Sequence, residues 1–404
     1  MAALTALSCL AASLTAGVVG LLDAGIRAEG RSRQGTGGSI TEAEAVPLVG
    51  AGLAEREGEA MLLYVPRLLV QQGVEGTAVL HRLNLEGALR PSQRWVLRLA
   101  ASGHAGTTDL LLDQGHDTTS GGPVQRVPAS SRLQVASASL GLSAEGAVAR
   151  GVRSRFSVSA WTDGGRTAEA EARLPRQRAL RATGYAELAR SRHDVLAAEL
   201  QLSGTRVRPA EVDWISGLQL SWRRRLEDRP EPRTPEQVLA DPDPAPRPRE
   251  LPELPEVWVG LGAAVDALWR RAPESVRWRV YPSAEVGYRR QLGGTVEASL
   301  VTSLRPTPDR YGGRTIPRAD GGGRLTWRPR REWNIGADAT LGLVVDGASR
   351  GESVAGGGLS IARSIGTGWD LSAGSRGWRQ QRAGEPTVHY TWTFLALSYR
   401  ERQL

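Results

Sequence analysis

Apolar and polar side chains alternate along one strand-length run, from Trp333 to Val345. Every second residue is apolar: Trp333, Ile335, Ala337, Ala339, Leu341, Leu343 and Val345. Small or polar residues lie between them: Asn334, Gly336, Asp338, Thr340 and Gly342. A β-strand directs successive side chains to opposite faces. The run therefore predicts a strand with one apolar face and one small, polar face.

The same alternation returns along most of the chain, with turn residues between the runs and no clear helical domain. A soluble sandwich could account for one such strand, but it gives no reason for this repetition along the whole chain. In a transmembrane β-barrel the outside of every strand meets lipid and the inside meets water. The sequence therefore predicts an all-β fold, a transmembrane antiparallel β-barrel of about 16 strands within a range of roughly 14–18.

The spacing between the predicted strands supports a barrel. Tight, arginine-bearing turns, such as Arg90–Arg94 and Arg328–Glu332, alternate with longer polar loops, such as His104–Arg132 and Pro306–Gly322. Outer-membrane barrels have short periplasmic turns and longer external loops. The alternation predicts an outer-membrane protein of a Gram-negative bacterium, with the tight turns on the periplasmic side.

The N-terminal residues divide into three predicted parts. The apolar stretch from Ala2 to Leu22 predicts a secretory signal over residues 1–28, cleaved near Ala24 or Ala28. No basic residue precedes the stretch, and its length also suits an uncleaved membrane anchor. Residues 29–43 are Gly-rich and predicted to be a disordered lead-in, and residues 44–404 are predicted to form the barrel.

One segment, residues 227–256, is rich in proline and in charges of both signs. Proline cannot donate to a strand ladder, so this segment does not belong to the sheet. Two interpretations remain open. The segment is either a linker between two β domains or a periplasmic arm that docks a periplasmic partner.

Composition excludes several functions. All 51 basic residues are arginine, which indicates a GC-rich coding bias, and they are spread over the chain rather than gathered in a patch. Nucleic-acid binding is therefore not expected despite the net charge of +8. A standard P-loop needs lysine, and Cys9 alone cannot form a disulfide framework or a multi-cysteine zinc site. We predict no catalytic residue, no cofactor, no metal and no enzyme activity.

Three short phrases carry a family resemblance. They are Leu62-Leu63-Tyr64-Val65-Pro66-Arg67-Leu68, Val79-Leu80-His81-Arg82-Leu83 and Ala172-Arg173-Leu174-Pro175-Arg176. They resemble segments of porin-like outer-membrane β-barrel proteins of high-GC Gram-negative bacteria. The resemblance implies contact with outer-membrane lipid and lipopolysaccharide, and insertion by the outer-membrane assembly machinery. It also implies a channel, including the kind associated with secreted polysaccharide export. The final residue, Leu404, departs from the aromatic C-terminus usual in such barrels.

The predicted function is a passive channel or export conduit for anionic solutes or polysaccharide. Side chains that line a pore set its selectivity. Six candidates lie on the predicted polar faces: Arg153, Arg155, Arg277, Arg279, Glu285 and Arg289. The alternative for these six is that they form salt bridges that fill the lumen. Two other functions remain: a structural or adhesive barrel with a plugged lumen, and a hydrolase at the barrel rim.

Overall fold

The computed structural model describes most of the chain and places nearly all of it in β-strands. The described residues are 19–35, 38–55, 57–109, 132–191, 193–208, 211–226, 256–271, 274–292, 295–309, 314–345, 352–381 and 386–403. Among them there is one α-helix, α1 (Ala168–Arg173). No helix in these ranges is long and apolar enough to span a membrane.

The strands follow one another along the chain. They are β1 (Val19–Gly35), β2 (Gly38–Ala54), β3 (Gly58–Tyr64), β4 (Arg67–Gln71), β5 (Ala78–Ser92), β6 (Trp95–Asp109), β7 (Arg132–Ala149), β8 (Val152–Gly165), β9 (Gln177–Ala189), β10 (Asp194–Arg208), β11 (Glu211–Arg225), β12 (Glu256–Arg271), β13 (Glu274–Leu292), β14 (Val296–Asp309), β15 (Arg314–Trp327), β16 (Trp333–Val344), β17 (Ser353–Gly366), β18 (Trp369–Gln381) and β19 (Val388–Gln403).

These segments form a closed antiparallel barrel of 18 strands. β3 and β4 are two halves of one strand, since both pair with β2 and β5 and only Val65 and Pro66 separate them. The break falls at Pro66, which has no N–H to donate. β1 pairs with β19 and closes the sheet. The predicted all-β barrel is confirmed, at the upper limit of the predicted range.

The outer face of the barrel is apolar. On β16, Leu341 and Leu343 are exposed on the outside, while Thr340 lies opposite Gly322 and Gly356 on the inside. Aromatic side chains on the outer face lie near the strand ends, among them Trp222, Trp327 and Trp369, as in the interfacial girdles of membrane barrels. A closed barrel with this exterior spans a membrane, and the protein is an outer-membrane barrel.

The start of β1 and the end of β19 lie at the same end of the barrel, because Leu22 pairs with Gln403. The tight turns between β5 and β6, β7 and β8, and β15 and β16 lie at this end too, since the strands alternate in direction. By the usual asymmetry of outer-membrane barrels this is the periplasmic end. Of residues 227–256, predicted to be a linker or arm, residues 227–255 lie outside the described residues and Glu256 begins β12.

The predicted disordered lead-in, residues 29–43, is wrong, because β1 and β2 occupy most of it. Its inward positions carry charged side chains, such as Glu29, Arg31 and Glu42, and small residues lie between them. This alternation of charged and small residues lacks the apolar face that identified the other strands. Part of the predicted signal, residues 19–28, also lies in β1, and residues 1–18 lie outside the described part of the chain.

Six glycines of the described ranges are covered by the aromatic side chain directly opposite on the neighbouring strand. A Cβ at each glycine would come within 2.9 Å of the opposing ring, so the ring lies flat over the glycine. The pairs are Gly35 with Tyr390, Gly146 with Trp95, Gly204 with Trp214, Gly287 with Trp258, Gly356 with Trp378 and Gly374 with Phe394.

The two faces of β16 give the first testable prediction. Ala339→Arg places a charge on the lipid face at mid-strand and should lower the free energy of unfolding by about 2–4 kcal/mol. Thr340→Arg points into the lumen, where Gly322 leaves room for it, and should have a much smaller effect. Urea unfolding in lipid vesicles measures both, and equal losses would contradict the assignment of faces.

The closing strand gives a second prediction. Cleavage at Ala24 or Ala28 would remove the part of β1 that contains Asp23, whose carboxylate accepts two hydrogen bonds from Arg400 of β19. A mature protein with a complete barrel should therefore keep Val19 and all that follows. The intact mass of protein extracted from the outer membrane measures this, and a chain starting at residue 25 or 29 would show that Asp23 and its ion pair with Arg400 are not part of the mature barrel.

Candidate functional site: the barrel lumen

All six predicted pore-lining residues lie on the inward face of their strands. Arg153 and Arg155 belong to β8, and the other four belong to β13. The residues that alternate with the β13 set point outward, since Trp278 and Val280 are each 69% exposed on the lipid face. The register agrees, because Glu285 lies opposite Gly260 and Ser303, which share its inward face. Their role in conduction stays a prediction.

The contacts of these six residues divide them into two groups. Arg155 pairs with Glu145 at 3.0 Å, and Glu285 pairs with Arg305 of β14. Arg279 and Arg289 also have interaction partners. Arg153 and Arg277 are exposed to the lumen and have no ion pair within the described ranges.

Arg324 on β15 belongs with the unpaired group, although the sequence gave no reason to choose it. It lies on the inward face opposite Asp338, but the Asp338 carboxylate binds Arg376 at 2.7 Å instead. Arg324 therefore remains exposed and without an ion pair among the residues described. The six candidates thus mix structural charges with free ones, and Arg324 adds a third free cation.

A cluster of buried charges fills the inward face of β1, β2, β4 and β6 near the external end of the barrel. We call it the arginine–carboxylate cluster, and its members are Glu29, Arg31, Arg33, Glu42, Glu44, Arg67 and Asp109. Arg31 is its hub, with Glu42 at 3.0 Å and Glu44 in direct contact. Arg33 pairs with Glu42 at 3.2 Å and with Asp109 at 3.1 Å.

The arginine–carboxylate cluster makes part of the lumen wall rigid. Its carboxylates and guanidinium groups neutralise one another, and removal of one partner from a buried pair usually costs about 3–5 kcal/mol. Sequence analysis missed the cluster because residues 29–43 were assigned to a lead-in. The recurring charges at every second position, Glu29, Arg31 and Arg33, were the available signal.

The connection between β8 and β9 folds into the barrel. Thr167 caps α1 by accepting a hydrogen bond from the Ala170 N–H at 3.2 Å. Ala170 and Leu174 are buried against Leu80 and Val135 on the inward faces of β5 and β7. Gly164 has φ +147, a conformation that favours glycine, and this turns the chain toward the lumen.

The β14–β15 hairpin also leaves the wall. Pairing of β13 with β14 ends at Ala284 and Leu304, although β13 continues to Glu274 at its external end and β14 to Asp309. The tip folds inward, because Thr315, which is 1% exposed, contacts inward-facing residues of other strands. Its hydroxyl donates to the Asp213 carboxylate on β11 at 2.5 Å, and its carbonyl accepts from the Tyr281 hydroxyl at 3.3 Å.

Two inward elements therefore narrow the external half of the lumen. α1 packs on the β5–β7 wall and the β14–β15 tip packs on the β11–β13 wall. The sequence predicted a long polar loop at Pro306–Gly322. This prediction is wrong, because most of that range is a strand hairpin. Its prolines and charges hid the strand pattern.

The lumen offers no evident metal site in the part of the chain that the structure describes, where no three His, Cys, Asp or Glu side chains group around a common point. What the lumen presents chemically is a set of guanidinium groups and carboxylates along a narrowed polar passage.

Comparison with solved structures identifies the same kind of barrel. Pseudomonas aeruginosa OccK7 (OpdD) aligns with a TM-score of 0.52 at 11% identity, over 95% of this chain and 99% of that chain. P. aeruginosa OccK2 (OpdF), solved with glucuronate, aligns with a TM-score of 0.48 at 12% identity, over 96% and 98% of the two chains. No protein-family model and no curated protein sequence matches the chain. The likeness to OccK7 supports the fold, and a fold alone does not fix a function.

The inward hairpin gives a third prediction. Arg305 and Arg318 are cross-strand partners, so a two-residue Asn-Gly turn can replace residues 306–317 and close the hairpin. Removal of the tip should raise single-channel conductance in a planar bilayer, because the passage widens where the tip now lies. Thr315→Val should raise it less, since only the hydrogen bond to Asp213 is lost.

Thr326→Val is the matched control for that experiment. Thr326 lies on the inward face of the same strand but near its periplasmic end, and this substitution should leave conductance unchanged. An unchanged conductance after removal of the tip would show that the hairpin does not limit the passage.

Proposed function

We propose that the protein is a passive channel for small polar solutes and that it favours anions. The observation that carries the proposal is that exposed lumen arginines without an ion pair occur among the described residues, including Arg153, Arg277 and Arg324. All three are exposed on the inward face. Charges lining a narrow lumen set the potential that a permeating ion meets.

Paired charges contribute little to this potential. Arg155 with Glu145, Arg305 with Glu285 and Arg376 with Asp338 each combine opposite charges at short range. The unpaired arginines are not offset in this way. Arg277 lies near the external end of β13, whereas Arg153 and Arg324 lie near the periplasmic ends of β8 and β15. An anion would therefore meet an arginine without an ion pair at both ends of the passage.

Polysaccharide export, which the resemblance implied, is not part of the proposal. α1 and the β14–β15 tip narrow the external half of the lumen, where a long polymer would need a wide, smooth passage. A small solute needs less room. The competing function is that of a structural barrel with a plugged lumen. Such a barrel differs from a channel in one measurable property, because it would conduct no ions.

The fourth prediction tests the proposal in a planar bilayer with a potassium chloride gradient. The wild-type barrel should conduct with a reversal potential that indicates anion preference. A triple variant should move the reversal potential toward the value of a cation-selective channel, because three positive charges are lost. Its substitutions are Arg153→Ser, Arg277→Ser and Arg324→Ser. The difference in reversal potential between the wild type and the variant should shrink at high salt, because ions then screen the three arginines of the wild type.

The matched control removes three arginines from the outer face. Arg290, Arg363 and Arg379 alternate with inward residues and are exposed on the outside, so their replacement by serine should leave the reversal potential unchanged. An absence of conductance in the wild-type barrel would favour the plugged barrel. Conductance with unchanged selectivity in the lumen variant would show that the three arginines do not select ions.

A further inference from the structure

An apolar groove of about 540 Å³ crosses the outer face of β5–β8. Its walls are large side chains exposed on the lipid side, Leu89, Leu97, Leu142 and Phe156. Ala144 provides a small position between them. The groove lies near the periplasmic end, because Leu97 is two residues from the start of β6 and Phe156 is four residues from the start of β8.

Cationic side chains lie at the foot of the groove. Arg94 is in the turn between β5 and β6, and Arg150 is in the turn between β7 and β8. Both are exposed, and neither has an ion pair among the residues that the structure describes. The two turns are joined directly, since the Ala147 N–H donates to the Arg94 carbonyl at 3.1 Å.

Trp95 lies between these arginines and the groove. Its ring covers Gly146 on β7, where a Cβ would come within 2.4 Å of the ring. Trp95 faces outward, as Leu97 does. It is the first residue of β6, so it lies where the apolar wall ends and the turns begin. Tryptophan prefers the membrane interface, where its ring contacts apolar groups and its N–H contacts water.

We propose that this surface binds an anionic phospholipid of the periplasmic leaflet. The phosphate lies at Arg94 and Arg150, the glycerol region lies beside Trp95, and one acyl chain occupies the groove. From the turns to mid-strand the surface is first charged, then aromatic and then apolar. This order matches the headgroup, glycerol and acyl regions of a phospholipid. This site is independent of conduction, because all of its side chains lie outside the lumen or at the rim.

The charge at the foot of the groove selects the class of lipid. Two exposed guanidinium groups without an ion pair favour a headgroup with net negative charge over a zwitterionic one, because the zwitterion carries its own cation. Lipopolysaccharide is also anionic, but it lies in the external leaflet, and the groove is at the opposite end. A phosphatidylglycerol-like headgroup therefore fits the site best.

Native mass spectrometry of the purified barrel, mixed with equal amounts of phosphatidylglycerol and phosphatidylethanolamine, provides the experiment. The wild-type protein should retain one phosphatidylglycerol in preference to phosphatidylethanolamine. Arg94→Gln with Arg150→Gln should weaken that retention about tenfold, through loss of two cations at an anionic headgroup. Ala144→Phe fills the groove and should weaken retention with both arginines present.

The matched control is Arg224→Gln with Arg290→Gln. These arginines are also exposed, with outward parity, near the periplasmic ends of β11 and β13. Unchanged retention in this control, with loss in the other two variants, supports a specific site. Equal loss in the control, equal retention of the two lipids by the wild type, or unchanged retention after Arg94 and Arg150 are replaced would each overturn the proposal. Migration of each variant on an unheated detergent gel verifies that the barrel has folded.

Discussion

Closure of the sheet is the constraint on which the rest of the structure depends. In lipid no water is present to bond an exposed strand edge, and each unpaired backbone group costs several kcal/mol, roughly 2–7. The ladder between β1 and β19 removes both edges, from the pair Leu22 and Gln403 to the pair Gly35 and Tyr390. Residues that looked like a polar lead-in are held in the wall for this reason. Their side chains lack the apolar face that identifies the other strands, but the neighbouring edges require a strand there.

Closure also decides where the charges go. Once every strand has one face in lipid, arginines and carboxylates in the middle of the spanning strands must face the lumen, and a crowded lumen forces them together. The arginine–carboxylate cluster is the extreme case, with Arg31, Glu42 and Glu44 all buried. The lumen arginines therefore have two different roles. Arginines that meet a carboxylate strengthen the wall, and those that do not, such as Arg153 and Arg277, can act on a solute.

The sequence predicts the repeating parts of the fold well and the exceptional parts poorly. The faces of β16 follow from the alternation of Ile335, Ala337 and Ala339 with Gly336 and Asp338, because strand geometry turns period two directly into inside and outside. The inward fold of the β14–β15 tip depends instead on Thr315 reaching Asp213, more than a hundred residues away. No local pattern encodes that contact. The same holds for ion pairing, since Arg153 and Arg155 have identical local patterns, yet only Arg155 forms an ion pair with Glu145.

The cross-strand pairs of glycine and aromatic residues connect composition to passage width. An aromatic side chain that stood upright on the inward face would occupy the lumen, whereas a ring over glycine lies along the wall and also shields the exposed glycine backbone. Trp258, Trp378, Phe394 and Tyr390 all adopt this arrangement on inward positions. Trp378 and Trp392 then stack with ring centroids 4.2 Å apart, so that aromatic surface is buried within the wall. The 48 glycines are thus more than turn residues. At these positions they let bulky rings stabilise the sheet while the centre of the barrel stays free for the two elements, α1 and the β14–β15 tip, that narrow it.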